Sequence, residues 1–425
     1  MIFDEPTTAL DVTTQIDALR VFKKVVRELG VTAVYVSHDL AVVAQMADRI
    51  LVLKQGTMRE MGPAAQVLHA PADPYTKELM AAADGRAAAP VGTQAEAAPL
   101  LEVRGLSASY PGARAPVLQD VSLRVGRGRS LGVIGESGSG KSTLARVIAG
   151  LTPRATGEVL IEGEPLAAAV AGRSREQLRR IQIVFQNADT ALNPAHTVDQ
   201  ALGRPLELYE GLKGPARAKR VRELLDLIRL PAAYAERSCR ELSGGQKQRI
   251  NLARALAARP DLVLCDEVTS ALDTVVAAAM LDLLAELRRE LGLSLIFISH
   301  DTSAVRAICD EVAVLYAGRV VETAPGDAFK RRPHHPYTDL LLASAPELRK
   351  GWLEERRATA LEPGAAPADP KLCRFLSRCP VRVTGACDVE PPPARTFADG
   401  VQALCHHSEA ELAALQSPIP AEKAG

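Results

Sequence analysis

Short apolar runs alternate with stretches of helical spacing along most of this chain of 425 residues. The apolar runs predict buried β-strands, and the stretches between them predict helices that cover both faces of a parallel sheet. The clearest predicted strands are Leu131-Gly132-Val133-Ile134, Leu262-Val263-Leu264 and Leu295-Ile296-Phe297-Ile298. The clearest predicted helices are residues 144–149, a helix that begins at Gln246, and residues 276–291.

Two further patterns refine this α/β fold. Alternating apolar positions in 101–103 and 121–125 predict strands that precede the parallel sheet. Residues 197–235 show helical spacing, notably at Val221, Leu224 and Ile228, and predict an inserted helical subdomain.

The chain contains an internal repeat. Residues 1–80 align without a gap onto residues 263–342 at a constant offset of 262 positions, so Asp4-Glu5 falls on Asp266-Glu267. Ser37-His38-Asp39 likewise falls on Ser299-His300-Asp301. Because chance does not hold one register over such a length, we expect the last third of one domain followed by a complete copy.

The predicted domain boundaries follow from this repeat and from shifts in composition. Residues 81–99 are Ala-rich without apolar periodicity and predict a flexible tether, and from 346 to 371 the pattern dissolves into Pro/Ala/Glu-rich chain. The predicted units are 1–80 as a carboxy-terminal fragment of a first domain, 81–99 as a linker, 100–345 as the complete domain, 346–410 as an extension with four cysteines, and 411–425 as a tail.

Charge and hydropathy limit the classes of partner. Lys+Arg and Asp+Glu each number 51, so the net charge gives no case for a nucleic-acid-binding surface. The sequence has no uncharged apolar run of about 18 residues and no basic-then-apolar signal peptide. We therefore expect a cytosolic chain without a nucleic-acid partner.

A glycine-rich stretch matches the phosphate-loop pattern G-x-x-x-x-G-K-[ST]. It reads Gly135-Glu136-Ser137-Gly138-Ser139-Gly140-Lys141-Ser142-Thr143 and lies between a predicted strand and a predicted helix. In such a loop the backbone N–H groups and the helix N-terminus bind phosphates. We expect Lys141 to reach the outer phosphates and Ser142 to bind Mg²⁺. A glycine-rich turn without a ligand is less favoured, because strand, lysine and serine are all in place.

Two acidic residues follow the predicted strand 262–264. The carboxyl end of a parallel strand faces the crevice where ligands bind, so Asp266 and Glu267 are expected there. Asp266 suits Mg²⁺, and Glu267 is placed to orient or deprotonate a water that attacks the γ-phosphate. A solvated turn or a helix N-terminus also favours two acids, but the nearby phosphate loop favours the catalytic interpretation.

A second anion site is predicted at Ser243-Gly244-Gly245-Gln246, where a hydroxyl and free N–H groups open a helix. An ordinary serine N-cap is the alternative. Together with Leu242, beside a phosphate loop and an Asp-Glu strand, this stretch resembles the signature of ABC-type ATPases. In that family two domains sandwich ATP head to tail, and each nucleotide lies between one phosphate loop and the partner's signature.

The resemblance covers nearly the whole chain and implies a P-loop NTPase fold: a RecA-like parallel-sheet core, an antiparallel β subdomain and an inserted helical subdomain. It also implies roles for further residues. Tyr110 resembles the aromatic that stacks on adenine, although a tyrosine in a strand also serves packing. Gln186 resembles the glutamine that contacts Mg²⁺ and water and senses the transporter. Residues 270–273 resemble the loop exchanged between the two domains, and His300 resembles the histidine that contacts the γ-phosphate.

Three stretches narrow the resemblance to the oligopeptide/dipeptide (peptide/nickel) importer branch: 185–194, 4–11 and His335-Pro336-Tyr337-Thr338. This branch implies an ATPase subunit on the cytosolic face of the cell membrane, with permease subunits and an extracytoplasmic solute-binding protein as partners. Nickel and glutathione-like substrates remain open beside peptides. The alternatives are a soluble tandem ATPase that acts on ribosomes or DNA, and a truncated nucleotide-binding remnant without turnover.

Four of the seven cysteines, Cys373, Cys379, Cys387 and Cys405, lie close together in the extension. Their thiolates are able to hold a [4Fe–4S] cluster or Zn²⁺, and the expected compartment disfavours disulfides. The spacing lacks the C-x₂-C of common zinc modules, and the family resemblance points to an iron–sulfur cluster. A Cys₃His zinc site with His406 or His407 stays open, as do four unligated thiols.

The first copy departs from the family pattern, because it has the acid pair and His38 but neither a phosphate loop nor a signature. In the sandwich, Lys141 needs a partner's signature and Ser243 needs a partner's phosphate loop, so a second ATPase domain is expected. Either Met1 is an internal methionine of a full tandem ATPase, or two chains pair through their complete domains. We favour truncation, because a fragment that begins in mid-sheet leaves an apolar edge open.

Overall fold

The computed structural model describes residues 1–7, 10–83, 98–113, 115–355, 367 and 369–416. Residues 1–83, the amino-terminal segment, contain two sheets of two strands each, one parallel and one antiparallel, with helices packed beside them. Its elements are β1 (Ile2–Asp4), α1 (Val12–Leu29), β2 (Val34–Val36), α2 (Leu40–Met46), β3 (Arg49–Lys54), β4 (Thr57–Pro63), α3 (Ala64–His69) and α4 (Pro74–Ala83).

The second unit opens with an antiparallel sheet, of which two strands precede the phosphate loop and two follow it. Its strands have the order β6-β5-β8-β9, and their buried faces share a core with the first helix after the loop. The elements of this part are β5 (Pro99–Ala108), β6 (Leu118–Gly126), β7 (Ser130–Ile134), α5 (Lys141–Ile148), β8 (Thr156–Ile161) and β9 (Glu164–Pro165). The strands predicted at 101–103 and 121–125 are confirmed as parts of β5 and β6.

A helical subdomain follows, as the apolar spacing of 197–235 predicts. Val221, Leu224 and Ile228 are fully buried on its inner face. The elements are α6 (Arg175–Arg180), β10 (Ile181–Val184), α7 (Ala188–Ala191), α8 (Val198–Pro205), a π-helical turn (Leu206–Glu210), α9 (Gly214–Leu227) and α10 (Gly244–Leu256). Short 3₁₀ turns at Ala232–Glu236 and Cys239–Glu241 join α9 to α10.

The main sheet has eight strands in the order β10-β11-β12-β7-β13-β14-β16-β15, of which the first five run parallel. All residues of β7, β11 and β12 are buried, because helices cover both faces, and this explains their unbroken apolar runs. The remaining elements of this part are β11 (Leu262–Asp266), α11 (Thr274–Leu291), β12 (Ser294–Ile298), α12 (Thr302–Ile308), β13 (Glu311–Tyr316), β14 (Arg319–Pro325) and α13 (Pro336–Ala343).

The carboxy-terminal extension is part of this fold, since β16 pairs with β14 and adds two antiparallel strands to the main sheet. Its elements are α14 (Trp352–Glu355), β15 (Ala394–Thr396), β16 (Gln402–Leu404) and α15 (Glu409–Leu415). Residues 356–366 and 417–425 lie outside the described residues, as do 84–97 of the predicted linker. Among the helices that are described, none combines the length and the apolarity needed to cross a membrane.

The amino-terminal segment and the second unit share strand registers at the offset of 262 positions. Phe3 pairs with Tyr35 in one parallel pair, and Cys265 pairs with Phe297 in the other. The irregularity in the β3–β4 ladder, between positions 52 and 53, recurs in the β13–β14 ladder between 314 and 315. That residues 1–80 belong to a first ATPase domain stays a prediction.

Residues 347–355 were expected to lack regular structure, yet they bind the amino-terminal segment. Trp352 and Leu353 are buried against Ile16, Leu19 and Val42. The Gln45 side chain donates to the backbone carbonyls at 347 and 349 and accepts from the backbone N–H at 353. The prediction failed because four helical residues in a polar segment carry no periodicity.

Candidate functional site

The glycine-rich loop connects the end of β7 to the first turn of α5. Gly135 and Gly140 have φ angles of 152° and 106°, and a Cβ at Gly135 would lie 2.1 Å from the Leu315 carbonyl oxygen. Lys141 Nζ donates to the carbonyl oxygens of Gly135 and Glu136, both at 2.9 Å. Burial lowers the pKa of Lys141. The Lys141 ammonium thus lies inside the turn and donates to backbone carbonyl oxygens. A bound phosphate would supply a negative charge beside it.

The acid pair lies beside this loop, because β11 and β7 are separated in the sheet by β12 alone. Ser142 Oγ donates to Asp266 Oδ1 at 2.8 Å, and burial raises the pKa of Asp266. A serine hydroxyl and a carboxylate are the oxygen ligands that Mg²⁺ prefers. These two side chains therefore fit the predicted magnesium site.

Glu267 is held on both sides of its carboxylate. Gln186 Nε2 donates to Glu267 Oε2 at 2.7 Å, and His300 Nδ1 lies 3.8 Å from Oε1. The interaction with His300 lowers the pKa of Glu267, and Glu267 in turn raises the pKa of His300. Glu267 also has a φ angle of 49°, a strained value for a residue with a side chain. The carboxylate is thus ionised and fixed in direction, as a general base requires.

Three hydroxyl groups, those of Tyr110, Thr143 and Ser139, lie on this side of the crevice. The Tyr110 hydroxyl lies 3.1 Å from Thr143 Oγ1, and the tyrosine is 38% exposed. Ser139 Oγ is buried and has no hydrogen-bond partner among the described residues. Because buried hydroxyls are normally paired, Ser139 is suited to meet an incoming phosphate oxygen. The adenine-stacking role of Tyr110 stays a prediction.

The predicted signature lies at the start of α10. Ser243 caps this helix in a capping box with Gln246, whose side chain also donates to the Tyr234 hydroxyl. Within the described part of the chain, no hydrogen bond joins residues 243–246 to the phosphate loop. Helix α10 instead contacts the chain next to Gln186. The side-chain amides of Gln248 and Asn251 both donate to the backbone carbonyl oxygen of residue 185.

Two hydrogen bonds join the amino-terminal segment to the second unit beside this site. Thr13 Oγ1 donates to Glu136 Oε1 at 2.8 Å, and Thr274 Oγ1 donates to the His38 carbonyl oxygen at 2.8 Å. A cavity between the segment and the second unit is lined by both Ser-His-Asp triplets, 37–39 and 299–301. The two repeated stretches therefore face each other across this cavity.

Sequence reasoning missed two side chains that contact the phosphate loop. Arg378 makes a two-pronged ion pair with the Glu136 carboxylate, at 2.7 and 2.9 Å. The Tyr337 hydroxyl accepts from the Glu136 backbone N–H at 2.8 Å. Tyr337 lies in the stretch His335-Pro336-Tyr337-Thr338, which has a counterpart at 74–76, and this recurrence was the available signal. Nothing local points to Arg378.

The four cysteines of the extension line a single cavity together with His335, His406 and His407. Burial raises the pKa of Cys379 to about 12 and that of Cys405 to about 11. Among the described residues, no three His, Cys, Asp or Glu side chains are arranged to hold one metal ion. The ring nitrogens of His406 and His407 contact backbone carbonyl oxygens at 3.2 and 2.6 Å. These contacts show neither a [4Fe–4S] cluster nor a Cys₃His zinc site.

Comparison with known proteins adds to this geometry. The family model described as "ABC transporter" matches residues 118–270, which include the loop, the signature and the acid pair. Over these residues the chain is similar to the ABC transporter family. A second model, "Oligopeptide/dipeptide transporter, C-terminal region", matches residues 59–88 and 321–387. Its two matches begin 262 positions apart, the offset of the internal repeat, since 321 minus 59 is 262.

Several relatives of this chain are described as importer components. The glutathione import ATP-binding protein GsiA of Salmonella paratyphi A is 38% identical over 379 residues. GsiA of Escherichia coli K12 is 37% identical over 380 residues. These alignments cover 81% of this chain and 61% of each relative, so the chain spans about three fifths of the length of these relatives. A solved structure, CbiO1 of Clostridium perfringens, part of the ABC transporter complex CbiONQ, is 28% identical, with a TM-score of 0.49 over 54% of this chain and 90% of that one.

Proposed function

We propose that this chain binds and hydrolyses ATP and thereby energises an ABC importer for peptides or similar small solutes. The observation that carries the proposal is the bond between Ser142 and Asp266, which joins the phosphate loop to the acid pair. Glu267 lies next in the chain, with its carboxylate fixed by Gln186. Together these residues would supply phosphate binding, a magnesium site and a general base within one crevice.

The nucleotide phosphates would bind to the backbone N–H groups of the loop and to Lys141, whose ammonium compensates their charge. Ser142 and Asp266, with Gln186 beside them, would hold Mg²⁺, which neutralises phosphate charge during transfer. Tyr110 would stack on the adenine. The Ser243 signature would complete the nucleotide pocket of a second ATPase domain, and another domain's signature would complete this one.

Glu267 would accept a hydrogen bond from the attacking water and take its proton as the new phosphorus–oxygen bond forms. Its lowered pKa keeps the carboxylate in the basic form at neutral pH. His300 would contact the γ-phosphate and, through its charge interaction with Glu267, hold the carboxylate in direction. The fixed side chains supply positioning, which dominates catalysis of phosphoryl transfer.

The importer assignment is supported by the relatives and by the second family model. The GsiA proteins are described as glutathione import ATP-binding proteins, and glutathione is a small peptide-like solute. We propose that the chain acts on the cytosolic face of the cell membrane with permease subunits, and through them with an extracytoplasmic binding protein. The Gln186 region and the helical subdomain would contact the permease.

The test is the substitution Glu267→Gln in the full chain. It removes the base but keeps the side-chain volume, so ATP binding persists while ATP turnover falls by about a hundredfold or more. Binding is measured by equilibrium titration and turnover by phosphate release. Unchanged hydrolysis in Glu267→Gln would reject the assignment of the base.

A concentration series separates an active ATPase from a nucleotide-binding remnant. If two chains must pair to complete a site, the rate per chain rises with protein concentration, whereas a remnant binds ATP without turnover at any concentration. A rate that is independent of concentration would instead indicate that one chain hydrolyses ATP alone.

We also propose that the four clustered cysteines hold a [4Fe–4S] cluster. The support is that all four line one cavity. Four thiolates are the usual ligands of such a cluster. Iron and sulfide analysis of anaerobically prepared protein tests this: the wild type should carry iron and brown colour, and Cys379→Ser should lose both. A colourless wild type without iron would reject the cluster.

A further inference from the structure

We propose that Arg378 is a positioning residue for nucleotide binding: it neutralises the Glu136 carboxylate so that the phosphate loop accepts phosphate. The inference rests on the proposed ATP-binding function and deepens it. Arg378 lies in the extension, beside Cys379, whereas Glu136 is the second residue of the loop. The two are 242 positions apart in the chain.

The geometry of the pair is specific. Arg378 Nη1 donates to Glu136 Oε2 at 2.7 Å, and Nη2 donates to Oε1 at 2.9 Å. Both side chains are largely withdrawn from water, at 11% and 14% exposure. A two-pronged, partly buried pair of this kind is stronger and better directed than a pair on the surface.

The guanidinium is itself held in place by aromatic rings. Its central carbon lies 5.8 Å from the ring centroid of Tyr316 and 5.7 Å from that of Phe375. Tyr316 packs on Tyr337, whose hydroxyl accepts from the backbone N–H of Glu136. Arg378 and Tyr337 therefore fix both the side chain and the backbone of the same loop residue.

Charge explains why the loop needs this partner. The Glu136 carbonyl oxygen accepts from Lys141, so this residue lies at the cradle that would receive the phosphates. A bare carboxylate at that place would repel the nucleotide and compete for the lysine. Thr13 of the amino-terminal segment also donates to Glu136, but a hydroxyl carries no charge to compensate the carboxylate.

The experiment is a double-mutant cycle read by equilibrium binding of ATP to the full chain. Arg378→Ala should weaken ATP binding by about tenfold or more, because the carboxylate is left uncompensated. The ATP affinity of Arg378→Lys should lie between those of Arg378→Ala and the wild type, since lysine keeps the charge but loses the two-pronged geometry. The double variant Arg378→Ala/Glu136→Gln should bind ATP as Glu136→Gln does, because without the carboxylate the arginine has nothing to neutralise.

Arg374→Ala is the matched control, because Arg374 lies four positions upstream and donates to Gln119 rather than to the loop. It should leave the ATP affinity unchanged. If Arg378→Ala binds ATP as tightly as the wild type, the inference is overturned. It is also overturned if Arg378→Ala/Glu136→Gln stays as weak as Arg378→Ala, since the arginine then acts through folding of the extension. A wild-type chain that binds no ATP would overturn the proposed function and this inference with it.

Discussion

The amino-terminal segment and the second unit contain the same strands in the same register but differ in what covers them. Ile2 in β1 is 77% exposed, whereas Leu264, its counterpart in β11, is fully buried. Val34 and Ile296 differ in the same way, at 54% and 0% exposure. In the second unit the buried face packs against α5 and the antiparallel sheet, and no described element takes that place over β1 and β2.

The two units differ in which parts of the candidate nucleotide site they contain. The amino-terminal segment and the second unit each place a carboxylate beside a histidine, at 3.0 Å for Glu5 and His38 and at 3.8 Å for Glu267 and His300. In the second unit, Ser142 of the phosphate loop also reaches the acid pair. The helix α5, which begins at Lys141 of this loop, also covers the apolar face of the second unit.

The largest expected contrast concerns stability. Leu264→Ala should lower the free energy of unfolding by about 2–5 kcal/mol, because it empties a packed core position, whereas Ile2→Ala should cost about 0.5 kcal/mol or less. Chemical denaturation of the full chain measures both. Equal losses would mean that the exposed face of β1 is covered in solution.

The next contrast concerns magnesium. Asp266→Asn should reduce ATP turnover by about a hundredfold, because it removes the carboxylate that faces Ser142. The matched variant Asp4→Asn should change the rate by about twofold or less. Phosphate release at saturating Mg-ATP gives both rates, and a similar loss in the two variants would assign a catalytic role to the first copy.

The two histidines give a smaller contrast. His300→Ala should lower turnover by about tenfold, because Glu267 loses the histidine beside its carboxylate. His38→Ala should leave turnover nearly unchanged. If the order is reversed, the catalytic histidine belongs to the amino-terminal segment.

The smallest effect is a pH dependence of stability from the pair His300 and Glu267. The pKa of His300 is raised above its ordinary value of 6.5, so its contribution is complete below about pH 6.5 and is lost as the pH rises through the raised pKa. The pKa of Glu267 is lowered from 4.5, so its contribution is complete above about pH 4.5 and is lost as the pH falls through the lowered pKa.

The stability lost in His300→Ala should therefore be largest between about pH 4.5 and 6.5, and below about 1 kcal/mol, because the pair is partly exposed. Urea denaturation at pH 5.5 and 8.5 measures the difference. In Glu267→Gln the same histidine substitution should show little pH dependence. A loss that grows towards pH 8.5 would contradict the assignment.

Much of the fold and of the site was accessible from the sequence. Buried parallel strands such as β11 and β12 give continuous apolar runs, and the loop and the acid pair follow such strands directly. The observed helix α11 begins two residues before the predicted one, at Thr274, because Asp273 caps it. Local pattern and tertiary burial agree in these elements, and this agreement made them predictable.

The contacts of the carboxy-terminal extension could not be predicted from local sequence patterns. Trp352 belongs to a helix too short to show periodicity, and its burial depends on a face supplied by the amino-terminal segment. The pairing of Arg378 with Glu136 joins distant parts of the chain, and neither residue's local sequence indicates the other. The sequence shows the four cysteines in one segment, and the fold brings all four to the lining of one cavity.

The most direct test of the central claim is the stoichiometry of ATP binding to the full chain, measured by calorimetric titration in the presence of Mg²⁺. One nucleotide should bind per chain, and Lys141→Ala should abolish that binding, because the loop at 135–143 is the phosphate cradle proposed among the described residues. Two nucleotides per chain, or one that still binds to Lys141→Ala, would contradict the account.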